Sequence, residues 1–167
     1  MDIISLMAKT LVEAYKQGNK VILCGNGGSA SDAQHIEGEL VGRFKMERRA
    51  LPAIAITANT STMTAIANDY GYADVFKRAV EAHGKPGDIL IAISTSGNSQ
   101  NVILATEQAK KQGMKIIGLL GGNGGKLEKL SDIAFVAPSN DTPRIQECHI
   151  LVGHILCDLI ERGVFGE

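Results

Sequence analysis

The sequence predicts an α/β fold of three layers, in which a five-stranded parallel sheet is flanked by helices. Short, continuously apolar segments alternate with segments of helical periodicity, a pattern typical of a parallel sheet that is buried on both faces. Glycine is frequent, at 19 of the 167 residues, which indicates many tight turns between short elements. A chain of this length fits one domain, 1–167, since domains commonly hold roughly 100 to 200 residues.

Five apolar segments have the length of strands and are each bounded by turn residues: Val21–Cys24, Ala53–Thr57, Ile89–Ile93, Lys115–Leu120 and Ile133–Ala137. An amphipathic helix precedes them from Ile4 to Tyr15, and its apolar residues share one face. Further helices are expected between the strands, at about Ser31–Phe44, Thr60–Asn68, Val75–His83, Asn101–Gln112 and Lys126–Leu130. A long closing helix is expected over Pro143–Arg162, with proline in its first turn and Gly163 after its end.

The charge balance excludes several classes of function. Seventeen basic and eighteen acidic residues give a formal net charge of −1, which offers no electrostatic attraction for nucleic acid or an anionic membrane surface. No apolar run approaches the roughly 18 residues that span a bilayer, and the N-terminal segment lacks the apolar block of a signal peptide, so a cytoplasmic location is expected. Cys24, Cys148 and Cys157 have no zinc-ribbon spacing and are expected to be reduced thiols that serve packing.

Two strand-to-helix turns have the composition of a phosphate site. Gly25-Asn26-Gly27-Gly28-Ser29 follows the first strand, and Ser94-Thr95-Ser96-Gly97-Asn98-Ser99 follows the third. Such turns present backbone N–H groups and the positive end of a helix dipole, and hydroxyls such as that of Ser29 add further donors. The second turn is equally consistent with Ser99 or Asn98 capping a helix. Because both turns follow carboxyl ends of strands, where ligands of open α/β sheets bind, we expect a ligand site there.

The first turn also satisfies the dinucleotide-binding pattern G-x-G-x-x-A, with Gly25, Gly27 and Ala30. That interpretation needs an acidic residue at the end of the second strand, and this strand ends in Thr57-Ala58-Asn59. The Walker pattern does not occur in the sequence either. Binding of a sugar phosphate is therefore expected in preference to binding of a nucleotide.

A histidine and a carboxylate follow the first turn on the same helix. His35 and Glu39 are four residues apart on one face, which suits a shared metal ion or proton transfer as well as a plain surface pair. The closing helix carries Gln146 and His154 in an apolar stretch, where a lone histidine is more often a core residue than a catalyst. These two residues are eight positions apart, about 12 Å along a helix, which leaves open whether one chain or several subunits build the site.

A wider pattern is carried by five blocks of sequence: Gly25-Asn26-Gly27-Gly28-Ser29, Asp32-Ala33-Gln34-His35, Ala67-Asn68-Asp69-Tyr70-Gly71, Ser94-Thr95-Ser96-Gly97-Asn98-Ser99 and Arg144-Ile145-Gln146-Glu147. In this order they resemble the phosphoheptose isomerase family of the sugar isomerase (SIS) domain superfamily, and the similarity runs through nearly the whole chain. The resemblance implies a single SIS domain over residues 1–167, with a flavodoxin-like arrangement of its sheet.

The resemblance implies an isomerase that converts D-sedoheptulose 7-phosphate to D-glycero-D-manno-heptose 7-phosphate, the first step of ADP-heptose synthesis for the lipopolysaccharide core or related glycans. It implies a homotetramer with active sites at subunit interfaces, and one zinc ion per subunit held by His35, Glu39, Gln146 and His154. Glu39 and His154 would be the catalytic acid and base. The implied contacts to the sugar phosphate are Asn26, Gly27, Gly28, Ser29, Glu39, Asn68, Asp69, Ser94, Thr95, Ser96, Ser99 and Gln146.

Two other functions use many of the same residues. A related branch of the superfamily consists of non-enzymatic tetrameric adaptors that bind the bacterial replication initiator, and the chain resembles them in its ending Cys157-Asp158-Leu159-Ile160. A sugar-phosphate-binding regulator would need the two turns but neither Glu39 nor His154. Asp32-Ala33-Gln34-His35 and Gly42-Arg43-Phe44 look more like the isomerase branch, so an isomerase is the expected function.

Overall fold

The sheet of the computed structural model, which describes residues 2–166, has five strands in the order β2-β1-β3-β4-β5. The strands are β1 (Val21–Cys24), β2 (Ala53–Ala55), β3 (Ile89–Ser94), β4 (Lys115–Leu120) and β5 (Ile133–Val136). Every pairing between neighbours is parallel. Leu23 of β1 lies opposite Ile91 of β3, so the carboxyl ends of these two central strands are adjacent.

Seven α-helices accompany the strands within residues 2–166: α1 (Ile3–Lys16), α2 (Gly28–Val41), α3 (Thr60–Tyr70), α4 (Val75–His83), α5 (Gln100–Lys111), α6 (Gly125–Leu130) and α7 (Thr142–Phe165). A one-turn 3-10 helix, Tyr72–Asp74, joins α3 to α4. None of the helices in this described part has the length and apolar character that crossing a membrane requires. The cytoplasmic location and the single domain stay predictions.

The helices form one layer on each face of the sheet. Side chains alternate along β1: Val21 and Leu23 pack into a core with α1, α2 and α7, whereas Ile22 and Cys24 pack into a core with α4 and α5. All six residues of β3 are buried, as are five of the six residues of β4. Because the central strands are covered on both faces, the predicted three-layer α/β fold is confirmed.

The predicted boundaries differ most from the structure in α2, which is expected over Ser31–Phe44 but runs from Gly28 to Val41. The helix begins earlier because Gly27, at φ +55°, turns the chain into the helix almost directly after the strand. It ends before Phe44 because the backbone N–H groups of residues 44 to 46 donate to the carboxylate of Glu161 in α7. A distant helix, rather than local periodicity, therefore fixes the loop after α2.

Candidate functional site

The first glycine turn lies at the carboxyl end of β1 and leads directly into α2. Gly27 adopts a left-handed φ, which glycine tolerates at little cost, and the N–H of Ser29 donates to the carbonyl of Asn26 at 2.9 Å. Gly27 and Gly28 are exposed, whereas Ser29 is only 3% exposed. The exposed backbone at the start of α2, rather than the Ser29 hydroxyl, is therefore what this turn offers an anion.

The hydroxyl turn between β3 and α5 partly holds itself together. The Oγ atoms of Ser94 and Ser99 are 2.9 Å apart, and Asn98 donates its backbone N–H to Ser96 Oγ at 3.1 Å. Ser99 occupies the N-cap of α5, yet its side chain makes no capping hydrogen bond, so its hydroxyl does not serve the capping role considered from sequence. Ser94 is buried, Thr95 and Ser99 are half-buried, and Ser96 is exposed, so Ser96 carries the most accessible hydroxyl of this turn.

Side-chain amides tie these turns together at one edge of the sheet. Asn26 Nδ2 donates to Asn101 Oδ1 at 2.9 Å, and Asn101 Nδ2 donates back to Asn26 Oδ1 at 2.8 Å. Tyr72, just after α3, also donates its hydroxyl to Asn26 Oδ1 at 2.8 Å. Asn68 and Asp69 lie exposed at the end of α3, where Asn68 Nδ2 donates to Asp69 Oδ1 at 2.9 Å. Three segments that carry predicted sugar-phosphate contacts therefore meet around Asn26.

His35, Glu39 and His154 form a compact cluster between α2 and α7. His35 Nε2 lies 3.1 Å from Glu39 Oε1 and 3.1 Å from His154 Nε2. One potential metal-ligating atom from each of the three residues lies within 4.8 Å of the other two. The two imidazole rings are edge-to-face, with centroids 4.9 Å apart. His35 is exposed, whereas Glu39 and His154 are half-buried. A single chain thus brings these three predicted ligands together without help from a partner subunit.

The cluster exists because α2 and α7 run side by side in the same direction. Gln146, near the start of α7, lies over Gly28 at the start of α2, and Gly153 packs on Ile36 further along. A Cβ on Gly28 would collide with the Gln146 amide, and a Cβ on Gly153 would lie 2.8 Å from Ile36 Cδ1. Gln146 therefore sits at the first turn of α2, and its role as a fourth metal ligand stays a prediction.

Phe44 covers one side of the histidine cluster. Its ring stacks on His154, with centroids 5.6 Å apart and an interplanar angle of 24°. The carboxylate of Glu161 accepts the Phe44 N–H at 2.9 Å and Arg48 Nε at 3.0 Å, and so fixes the loop that carries Phe44. The sequence gives no local signal for this arrangement, because Phe44 and Glu161 are 117 residues apart.

The neighbouring buried titratable groups have the properties of packing residues. His149 is fully buried and donates Nε2–H to the carbonyl of Leu120 at 2.8 Å, and burial lowers the pKa of its imidazole. Burial raises the pKa of Cys24 to about 12, and also that of Cys157 to about 12, so both thiols stay protonated. The core histidine of the closing helix is thus His149, while His154 belongs to the candidate site.

Comparison with known proteins gives consistent matches. The SIS domain family model matches residues 1–121. A phosphoheptose isomerase of Clostridium acetobutylicum is 54% identical over 98% of this chain and 84% of its own length. A phosphoheptose isomerase of Nitratiruptor sp. is 62% identical over 91% of this chain and 81% of its own length. The solved structure of a phosphoheptose isomerase from Francisella tularensis is similar at a TM-score of 0.93 and 44% identity, covering 96% of this chain and 85% of that one.

These matches confirm the resemblance seen in the five sequence blocks. The family model covers both turns, and the Clostridium relative, aligned over 98% of the chain, also covers the closing helix. Relatives of more than half identical sequence carry the isomerase name, which places the chain in the enzymatic branch of the superfamily. The chain belongs to the phosphoheptose isomerase family, and it is an enzyme of the sugar-phosphate isomerase class.

Proposed function

We propose that the enzyme converts D-sedoheptulose 7-phosphate to D-glycero-D-manno-heptose 7-phosphate, the first step of ADP-heptose synthesis for lipopolysaccharide core or related glycans. The observation that carries the proposal is the His35, Glu39 and His154 cluster, whose ligand atoms lie within 4.8 Å of one another beside the glycine turn. The names of the relatives described above support the choice of a heptose phosphate.

The two turns supply the binding part of this function. Exposed backbone at Gly27 and Gly28 and the hydroxyls of Thr95 and Ser96 suit the phosphate end of the sugar. Binding this remote end orients the other end of the substrate toward Glu39 and His154. Binding energy far from the reacting carbons is thereby used to place them correctly.

Glu39 and His154 supply the proton transfers. The Glu39 carboxylate removes a proton from C1 of the ketose, the C1–C2 double bond forms, and the His154 imidazole gives a proton to the oxygen on C2, which yields an enediol. Loss of the proton on the C1 oxygen and return of a proton to C2 then produce the aldose. The half-buried position of both side chains limits the water that competes for these protons.

The donor set around His35 fits a zinc ion. In a tetrahedral site with metal–ligand bonds of about 2.0 to 2.1 Å, neighbouring ligand atoms lie about 3.3 Å apart. The two 3.1 Å separations of His35 Nε2, from Glu39 Oε1 and from His154 Nε2, are close to this value. We infer one zinc ion per subunit, held by His35, Glu39 and His154 with Gln146 as a fourth ligand; when bound, it stabilises the negative charge that develops on the substrate oxygens.

A homotetramer is the proposed assembly. Leu151 and Ile155 on α7 are 59% and 37% exposed, and they flank His154 on the surface of the subunit. An apolar stripe of this kind beside a site is typical of a surface that a second subunit covers. Subunit contacts there would enclose an active site that is open in the single chain.

The first test is turnover of sedoheptulose 7-phosphate by the purified protein, with formation of the aldose followed over time. We expect turnover that a chelator lowers and added zinc restores. A folded, zinc-loaded protein without turnover would contradict the proposal, and capture of the replication initiator by that protein would favour the adaptor function instead.

Replacing Glu39 by glutamine tests the proton transfer. Glu39→Gln should lower kcat by at least 1,000-fold, since general acid–base catalysis contributes roughly 10² to 10⁴-fold and the metal contact is weakened too. Binding of the sugar phosphate, measured by calorimetry, should survive because both turns are intact. Glu37→Gln on the same helix is the matched control and should keep the wild-type rate; wild-type turnover by Glu39→Gln would refute the assignment.

A further inference from the structure

Asn101 is a buried polar residue that is neither a predicted substrate contact nor a predicted metal ligand. It lies in the first turn of α5 and is only 4% exposed. A buried amide needs hydrogen-bond partners, because an unpaired one costs much of the free energy of its lost hydration. Both hydrogen bonds of the Asn101 side chain go to Asn26, in a reciprocal pair of 2.9 and 2.8 Å. This pair fixes the plane of the Asn26 amide.

Tyr72 adds a third bond to the same group. Its hydroxyl donates to Asn26 Oδ1 at 2.8 Å, and that oxygen already accepts from Asn101 Nδ2. Both lone pairs of the Asn26 oxygen are therefore occupied, and one of its two N–H groups is used by Asn101 Oδ1. The group that Asn26 retains for a ligand is a single N–H donor.

The network also couples the segments that form the site. Asn101 joins the glycine turn after β1 to the hydroxyl turn after β3, since it follows that turn by two residues. Tyr72 joins the same glycine turn to the end of α3, which carries Asn68 and Asp69. A shift of α3 or α5 is thereby transmitted to the Asn26 amide.

We propose that Asn101 and Tyr72 are positioning residues, which lock Asn26 so that it presents one N–H donor to an oxygen of the sugar phosphate. Neither residue needs to touch the substrate, since each acts on Asn26. The inference rests on the proposed function for the identity of the ligand. It implies that ligands without an acceptor oxygen at this point are discriminated against, because the N–H would then be left unpaired.

The test is a double-mutant cycle on the full-length protein. Tyr72→Phe removes only the hydroxyl of an exposed ring and should raise the KM for sedoheptulose 7-phosphate about two- to ten-fold, the range of one hydrogen bond, with kcat changed less than two-fold. In the Asn26→Ala background the same change should alter KM by less than about 1.5-fold. Tyr70→Phe, at a residue of similar exposure beneath Arg78, is the matched control and should leave KM unchanged.

Equal effects of Tyr72→Phe in both backgrounds would overturn the proposal, since the hydroxyl would then act on the ligand directly. An unchanged KM in the Tyr72→Phe protein would overturn it as well. Asn101→Ala should likewise raise KM only when Asn26 is present, and Tyr72→Phe keeps the test decisive if the Asn101 variant fails to fold.

A second measurement needs no substrate and separates this inference from the proposed function. In the ligand-free protein, the side-chain NH₂ signals of Asn26 and Asn101 in a ¹H–¹⁵N spectrum should shift in Tyr72→Phe but not in Tyr70→Phe. If the side-chain NH₂ signals of Asn26 do not shift in Tyr72→Phe, the positioning role is refuted, even if the enzyme is active. Absence of wild-type turnover with the expected signal shifts would refute the substrate assignment alone.

Discussion

Glu161 is a carboxylate that is only 1% exposed. The free-energy cost of burying its charge is offset by hydrogen bonds that it accepts from four N–H groups. Three backbone N–H groups, of Phe44, Lys45 and Met46, donate to it at 2.8 to 2.9 Å, and Arg48 Nε donates at 3.0 Å. The Arg48 side chain is itself 2% exposed, and it donates further to the carbonyls of Glu39 and Leu40 at the end of α2. This one ion pair therefore determines where α2 ends and where Phe44 lies against His154.

Glu161→Gln is expected to destabilise the enzyme by about 3 kcal/mol at neutral pH, because removing one member of a buried ion pair leaves the other uncompensated. Burial raises the pKa of Glu161, but the three backbone N–H groups and Arg48 lower it more, so its folded-state pKa lies below the usual 4.5. The stabilisation is then fully present above the unfolded-state pKa and is lost as the pH falls through the folded-state pKa.

The free energy of unfolding, measured between pH 3 and 7, tests the predicted pH dependence of the Glu161 contribution. The wild type should lose stability on the acid side more steeply than Glu161→Gln. Glu147→Gln, which removes an exposed partner of Arg144, is the control and should change stability by less than about 1 kcal/mol. Parallel pH curves for wild type and Glu161→Gln would contradict the prediction.

At the scale of elements, α2 and α7 depend on a close approach at Gly153. A methyl group there would lie 2.8 Å from Ile36 Cδ1 and 3.0 Å from Cγ1, whereas a methyl group on Gly38 of α2 would meet open space. Gly153→Ala should therefore destabilise the fold by about 1 to 3 kcal/mol through overpacking. Gly38→Ala should stabilise it by about 0.5 to 1 kcal/mol, because alanine has the higher helix propensity.

Denaturant unfolding measures the change in the free energy of unfolding, which should be negative for Gly153→Ala and positive for Gly38→Ala. Gly153→Ala should also lower kcat, since the displaced α7 carries His154 away from His35, and Ile36→Val in the same protein should restore part of both losses. Equal effects of the two glycine substitutions would show that helix propensity, and not the contact with Ile36, dominates.

The element pattern was accessible from the sequence, because strands such as Val21–Cys24 and Ile89–Ser94 are continuously apolar and helices such as Val75–His83 have an apolar face. The positions of the two turns could be predicted from these elements, since each turn lies between such a strand and a helix. The parallel packing of α2 against α7 could not be predicted in this way, because it depends on contacts between residues more than a hundred positions apart, such as Gly153 with Ile36 and Gln146 with Gly28. The hydrogen bonds of Asn101 and Tyr72 to Asn26 were not predicted either, because these partners are 75 and 46 residues from Asn26 in the sequence.

At the scale of the whole molecule, the single chain leaves its candidate site open along α7. A cavity of about 190 Å³ adjoins His154, and its lining includes the Phe44 ring and Ile155. Leu151 stands one turn before Ile155 on the same face and is 59% exposed. This apolar face is adjacent to His154, the proposed acid–base residue. Assembly would therefore affect the chemistry directly, because a covering subunit would exclude water from His154.

Leu151→Glu tests this link between assembly and turnover. A charge in the middle of an apolar contact is costly to bury, so the variant should dissociate from the proposed tetramer to smaller species, as measured by size-exclusion chromatography with light scattering. Its kcat should fall at least ten-fold while its circular dichroism spectrum stays that of the wild type, because Leu151 is not needed by the subunit core. Lys129→Glu on α6 changes an exposed residue away from α7 and should keep both mass and rate. A fully active Leu151→Glu monomer would show that one chain is sufficient for the reaction, as the single-chain cluster of His35, Glu39 and His154 permits, and that the exposed α7 face serves another purpose.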